Sequence, residues 1–276
     1  MPHKIYGQHI DYMFQTPTTR MWKQLHDDGK LTPAQDIFWN TKAPEELFDL
    51  QSDPDEVNNL AASPAHGEIK TRLRKAQQDL ARKIRDVGFL PEGELFSRAN
   101  GSSPYDLRHN DSQYPFERVF EAAELGSMLE AGAVPALKRR FKDNDSAVRY
   151  WAALGMLMRG ENGVRTAHEE LAAALKDSSP YVRIAAAEAL GRNGSDADLK
   201  QALDVLVELR PIAKNGVFVS MAVLNALDAL GDKAAPVARA IQAMSAQGKV
   251  PDVRYTPYVP RLLEDLQARF RSQERQ

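Results

Sequence analysis

Apolar residues in the first third of the chain come in short bursts fenced by breakers. In "TPTTRMWKQLHDDGK" Met21, Trp22 and Leu25 fall at helical spacing, with Thr16 placed as N-cap, Pro17 at the first helical position and Gly29 as the stop. "TPAQ" repeats the device: Thr32 caps, Pro33 follows and Gln35 sits where a capping-box partner belongs. Two short, tightly joined helices are predicted. Leu47, Phe48 and Leu50 then form an apolar run too brief for a helix, which reads as an edge strand or extended segment. "DPDE" predicts a helix start, because Asp53 accepts from free backbone N–H groups, Pro54 has no donor to waste and Glu56 lies near the positive end of the dipole. The alternative, a calcium loop of Asp53, Asp55 and Glu56, lacks the ligand count and the glycine of such loops. From Pro64 to Val87 the helical period is most regular: Ile69, Leu73, Ala76, Leu80, Ile84 and Val87 recur at steps of three and four before Gly88. Its opposite face carries Lys70, Arg72, Arg74, Lys75, Arg82, Lys83 and Arg85. With Glu68, Asp79 and Asp86 among them and no aromatic between, this reads as a solvated surface.

Residues 88 to 114 are rich in Gly, Pro, Ser and Asn without a sustained period, which predicts a connecting segment. Phe89, Leu90, Leu95 and Phe96 suggest that part of it packs down. Beyond it the pattern repeats. "LKRRFKDNDSAVRYWAALGMLMRG" and "LAAALKDSSPYVRIAAAEALGRNG" superimpose with Asp143 on Asp177, Val148 on Val182, Arg149 on Arg183, Ala153 on Ala187 and Gly160 on Gly194. "NGVFVSMAVLNALDALGDKA" is a third, looser copy. Each unit reads as helix, turn, helix, and cannot bury its apolar stripe without neighbours. A HEAT-like α-solenoid is predicted, in which the turn Asp caps the second helix. The Arg six residues later reaches a carboxylate of its own or the adjacent unit.

Composition narrows the classes of function. Of 276 residues, 43% are apolar and 27% charged, with a net charge of −2; that balance belongs to a globular protein and gives no positive field for a polyanion. Nucleic acid is therefore not an expected partner. No run approaches the roughly 18 apolar residues of a membrane span, so no membrane partner is expected. "MPHKIYGQHIDYMF" lacks the order of a signal peptide. Zero cysteine excludes disulfides, thiolate metal sites and cysteine nucleophiles.

Candidate chemistry is sparse. No glycine loop has nucleotide-binding spacing, and no serine sits in a nucleophile elbow. His3 and His9 lie near Tyr6 and Tyr12, but their spacing fits no zinc helix. His26, His66, His109 and His168 are scattered and read as surface or helix-end residues. No cofactor is expected to bind this chain.

"EELFDLQSDPDEVNNLA", residues 45 to 61, resembles the signature near the C-terminus of arylsulfatase-type sulfatases, in which a Glu-Leu-Tyr/Phe-Asp-Leu strand leads to an Asp-Pro turn, an acidic residue and Asn-Leu. "MPHKIYGQHIDYM", "TPTTRMWKQLHDDGKL" and "DVGFLPEGEL" resemble bacterial members of that family over about residues 1 to 120. The resemblance implies a large N-terminal catalytic domain that holds calcium and a formylglycine made within a Cys/Ser-x-Pro/Ala-x-Arg motif. Neither that motif nor an acidic calcium cluster occurs in these residues. The expectation is mainly α: a truncated sulfatase C-terminal subdomain with a short strand and a long helix (residues 1–87), a linker (88–114) and HEAT-like repeats (115–276). The subdomain is expected to need the missing catalytic domain as partner and to be inactive alone. His3, Tyr6, Gln8, His9 and Tyr12, by position in the family, would contact the organic part of a sulfate ester; the alternative is that they anchor the segment. Calcium is implied only for the full-length family, as is a periplasmic or extracellular location. A non-enzymatic scaffold binding a protein along the solenoid is the alternative function. Apolar surface is expected to be exposed near residues 1–15 and 37–50.

Overall fold

The computed structural model describes residues 1–7, 11–248 and 250–273. It is mainly α-helical and divides into two compact units, residues 1–84 and 85–276.

In the first unit, α1 (Pro17–Asp27) begins with Pro17 and stops before Gly29, which adopts φ 65. The single turn Pro33–Asp36 carries the anticipated capping box: Gln35 N donates to Thr32 Oγ1 (3.4 Å) and Thr32 N to Gln35 Oε1 (3.0 Å). Together these pieces enclose an aromatic cluster. Trp22 stacks on Phe38 with centroids 4.7 Å apart, and the ring of Trp39, 4% exposed, meets Trp22, Phe38, Phe14 and His26.

The segment from Glu45 to Ala61 differs from expectation in two respects. No strand forms at residues 47–50; the only bridge among the described residues joins Ile5 to Thr41. Asn59 does the pairing instead, accepting from Leu47 N and Ala61 N (3.0 and 2.9 Å) and donating to Glu45 O (3.0 Å), while Leu60 N donates to Leu47 O (2.8 Å). A side-chain amide thus stands in for a second strand. Nor does "DPDE" start a helix, because Glu56 turns left-handed at φ 53. The Asp53 carboxylate accepts from Val57 N and Asn58 N (3.2 and 2.8 Å), four and five residues on, and so pins a turn. Arg74 and Lys70 of α2 (Gly67–Ile84) hold the segment, the first to the Glu45 carboxylate and the second to Ala61 O (2.6 Å).

Helix α2 ends at Ile84, earlier than Gly88 suggests, because Arg85 takes φ 48. Its apolar stripe is not covered: Ile69, Leu73, Leu80 and Ile84 are all exposed. Among the described residues of this unit only Pro2, Gly7, Trp39, Asp53 and Ala81 are buried. Of the two stretches expected to expose apolar surface, Met1, Tyr12 and Leu50 do so, whereas Trp39 is packed.

The second unit is the solenoid. Helices α4 (Phe116–Ser127), α6 (Ser146–Met158), α9 (Pro180–Asn193), α11 (Val217–Leu230) and α12 (Tyr258–Gln273) stack in series as one layer. Helices α5 (Val134–Arg140), α7 (Gly160–Thr166), α8 (His168–Ala174) and α10 (Asp196–Leu209) pack against them. Small residues let the layer close. A Cβ on Gly155 of α6 would lie 3.0 Å from the Gly126 Cα of α4. Val148, Val182, Ala153 and Ala187, aligned between repeats, are fully buried. The residues that superimpose as Gly160 and Gly194 part company in the backbone, the first at φ 61 and the second extended.

The Asp and Arg of the repeat form a ladder between units. Arg118 reaches Asp143, Arg149 reaches Asp177, and Arg183 reaches Glu208 (2.9, 2.7 and 2.6 Å). Asp143 itself caps no helix. Asp145 is the N-cap of α6, accepting from Ala147 N at 2.8 Å. Residues 88–114 lie within this second unit and include α3 (Glu92–Ala99).

Candidate functional site

Of the five residues singled out at the N-terminus, Gln8 and His9 lie outside the described residues. His3 and Tyr6 sit half-buried on a segment tied to residues 38–42 by Gly7 N to Phe38 O (2.7 Å) and Lys42 N to Lys4 O (3.0 Å). Lys42 Nζ stands 5.4 Å from the Tyr6 ring centroid. Tyr12 belongs to the turn Asp11–Gln15 and is 69% exposed. The structure therefore places two of the five on one paired segment and a third on an open turn.

The most elaborate polar arrangement lies elsewhere, in the solenoid. A cavity of about 720 Å³ is lined by Glu94 and Arg98 of α3 and by Ser146, Ser179, Tyr181 and Phe218 among others. Glu94, 6% exposed, accepts from Ser146 Oγ (2.8 Å), Ser179 Oγ (2.9 Å) and Arg98 Nη2 (2.6 Å). Arg98 donates onward to both oxygens of Asp145 (2.8 and 3.0 Å) and to Gln113 O (2.8 Å). Burial alone would push the Asp145 carboxyl up; the bonds from Arg98 and the first turn of α6 outweigh it and hold the group below its usual range. Two serines converge on one carboxylate with no imidazole between them. The hydroxyls are hydrogen-bond donors here, and nothing in the cluster prepares them for attack.

A second cavity, about 500 Å³, is lined by His168, Asp198, Ser195, Arg165, Arg192 and Lys233 among others. His168 Nε2 lies 2.8 Å from Asp198 Oδ1, and Ser195 Oγ donates to Asp198 Oδ2 at 2.7 Å. The carboxylate is the middle member. A hydrolytic triad needs the imidazole there, in contact with the hydroxyl; this group of three caps α10 through the Ser195–Asp198 box. Among the described residues no three His, Cys, Asp or Glu side chains gather as they would round a metal ion. The calcium that the family resemblance implies for the full-length protein finds no donor set among them.

Sequence reading passed over Glu94 and Arg98 because their partners come from distant turns. The available signal was the spacing of Leu95, Phe96 and Ala99 behind Pro91, which suits a short helix.

The HEAT repeat model matches residues 169–192, the pair formed by α8 and α9. Over 104 residues the chain is 38% identical to the ulvan-active sulfatase of Formosa agariphila, a match covering 37% of this chain and 17% of that protein. The chain thus carries a region similar to a sulfatase together with a HEAT repeat, and the match spans less than a fifth of the sulfatase's length. No solved structure matches the chain.

Proposed function

We propose that residues 1–84 are the C-terminal subdomain of an arylsulfatase-type sulfatase and that the chain turns over no sulfate ester without a catalytic domain. The identity to a sulfatase carries this reading. The residue pattern of Glu45 to Ala61 supports it, since the matching family signature ends in the Asn-Leu whose amide holds this segment closed. So does the absence of any cysteine and of the formylglycine motif from the sequence. The uncovered stripe of α2 is the surface such a domain would bury. His3, Tyr6, Gln8, His9 and Tyr12 would then border the substrate cleft, with Tyr12 the most open of those described. Sulfated polysaccharide of the ulvan kind is the first substrate class to test.

The experiment compares sulfate release from p-nitrophenyl sulfate and from ulvan oligosaccharides. One sample is the purified chain; the other is residues 1–120 grafted in place of the matching region of the ulvan-active sulfatase. The expected result is none from the chain at any calcium concentration and release from the graft. Sulfate release by the chain alone, or an inactive graft whose catalytic domain is folded, overturns the proposal.

A further inference from the structure

The first turns of α6, α9 and α11 open onto one groove, and α3 lies along it. Four contacts define the fit. Glu94 takes hydrogen bonds from Ser146, the first residue of α6, and from Ser179, which precedes α9. Arg98 reaches Asp145, the N-cap of α6, with two nitrogens. Phe96 stacks on Phe218 of α11, centroids 4.9 Å apart and planes within 5°. At Gly93 the backbone approaches so closely that a Cβ would stand 1.6 Å from the Tyr181 hydroxyl and 2.9 Å from the Phe218 Cβ.

The receiving surface is shaped for this contact. Neither α9 nor α11 has a side-chain cap. The Ser179 hydroxyl, placed to cap α9, turns instead to Glu94. Three successive repeats thus each commit a residue at their helix start to the same short helix. The charged groups facing one another are Glu94, Arg98 and Asp145, and hydrogen bonds join all three.

We propose that the starts of α6, α9 and α11 form a receptor for a short helix presenting Gly-Glu-x-x-x-Arg, and that residues 93–98 of this chain are its occupant. The solenoid grips its own segment. While α3 is docked, the contacts it makes are not available to a helix of a partner protein. The groove belongs entirely to residues 85–276, so the outcome of the sulfatase assay does not bear on it.

Two full-chain variants test this, read by amide hydrogen exchange. Glu94→Ala with Arg98→Ala removes both charges of α3 together; Gly93→Leu wedges the helix off Tyr181 and Phe218 without altering the receptor. In each, exchange at residues 95–99 should rise at least tenfold while α6, α9 and α11 keep their protection. A peptide of residues 87–102, added in trans at about millimolar level, the effective concentration of a short tether, should protect the first turns of α9 and α11 in the variants. The same peptide carrying Glu94→Ala and Arg98→Ala should not. Unchanged exchange at 95–99, loss of protection throughout α6 to α11 in both variants, or failure of the peptide to bind either one overturns the proposal.

Discussion

Arg149 and Asp177 face each other as parallel forks, Nε to Oδ2 at 2.7 Å and Nη2 to Oδ1 at 2.8 Å, with side chains 13% and 11% exposed. The pair joins two neighbouring repeats. A bidentate guanidinium–carboxylate contact fixes register as well as distance, because both donors are satisfied only in one alignment. Arg149 also donates to Asp143 O at 2.8 Å, tying the turn of its own unit to that of the next.

Replacing Asp177 by alanine should leave the Arg149 charge half-buried without its partner and cost about 2 kcal/mol, less than the figure for a fully dry pair. For a unit of this size that is a fall in melting temperature of roughly 4–8 °C. Arg149→Lys, which keeps the charge but loses the fork, should recover less than half of it. Equal melting temperatures for the lysine variant and the parent, measured by circular dichroism, would refute the bidentate account.

Acid should loosen the solenoid by way of the same carboxylates. Burial pushes Asp177 and Asp145 up, and in both the hydrogen bonds from an arginine and from backbone N–H groups outweigh it, so both titrate below their ordinary range when folded. A lowered folded pKa means stability that is complete above the unfolded value of about 3.9 and is lost as pH falls through the folded one. Urea midpoints should therefore be flat from neutral pH down to about pH 5 and drop below about pH 4. In the Asp177→Asn variant the drop should be shallower. A variant as steep as the parent would place the acid sensitivity in other groups.

The repeat was legible because its signal is local and doubled. Val148 and Val182 recur at equivalent positions, and both prove to be fully buried. The ladder was half legible: the Arg position announced a carboxylate partner, but the same residues suggested a cap that Asp145 supplies instead. At Asp53 the letters Asp-Pro-Asp-Glu satisfy every local rule for a helix start. What defeats them is the Asp53 carboxylate, which accepts from Val57 N and Asn58 N and so pins a turn in which Glu56 is left-handed. Leu95 and Phe96 announced that this stretch packs down, but the surface that α3 meets was not legible. Ser146 and Ser179 lie 52 and 85 residues from Glu94, and nothing in a run of Gly, Pro and Ser reveals such partners.

Asn59→Ala should open the segment at both ends. Three hydrogen bonds go with the amide, leaving Leu47 N and Ala61 N as donors and Glu45 O as an acceptor without it. At roughly 1 kcal/mol for each bond near the surface, exchange at Leu47 and Ala61 should accelerate on the order of tenfold or more. Asn59→Asp, able to accept but not donate, should restore Leu47 and leave residue 45 loose. If Leu47 exchanges no faster in the alanine variant, the amide is not what closes the segment.

The stripe on α2 yields the sharpest test of what covers the first unit. Ile69, Leu73, Leu80 and Ile84 remain 39–56% exposed although each falls where an amphipathic helix keeps its buried residues. Covering the remaining surface of four such side chains is worth about 1 kcal/mol apiece, or roughly three powers of ten in affinity for whatever covers them. Ile69→Lys with Leu80→Lys should leave the helicity and melting of the isolated chain little changed, since a lysine can keep its stem on the covered half of each site and its charge in water. In the graft with a sulfatase catalytic domain the same pair should lower the melting temperature of that domain's junction and the turnover with it. A large loss of stability in the isolated chain would mean that the stripe already packs within these 276 residues; an unaffected graft would mean that the catalytic domain binds elsewhere.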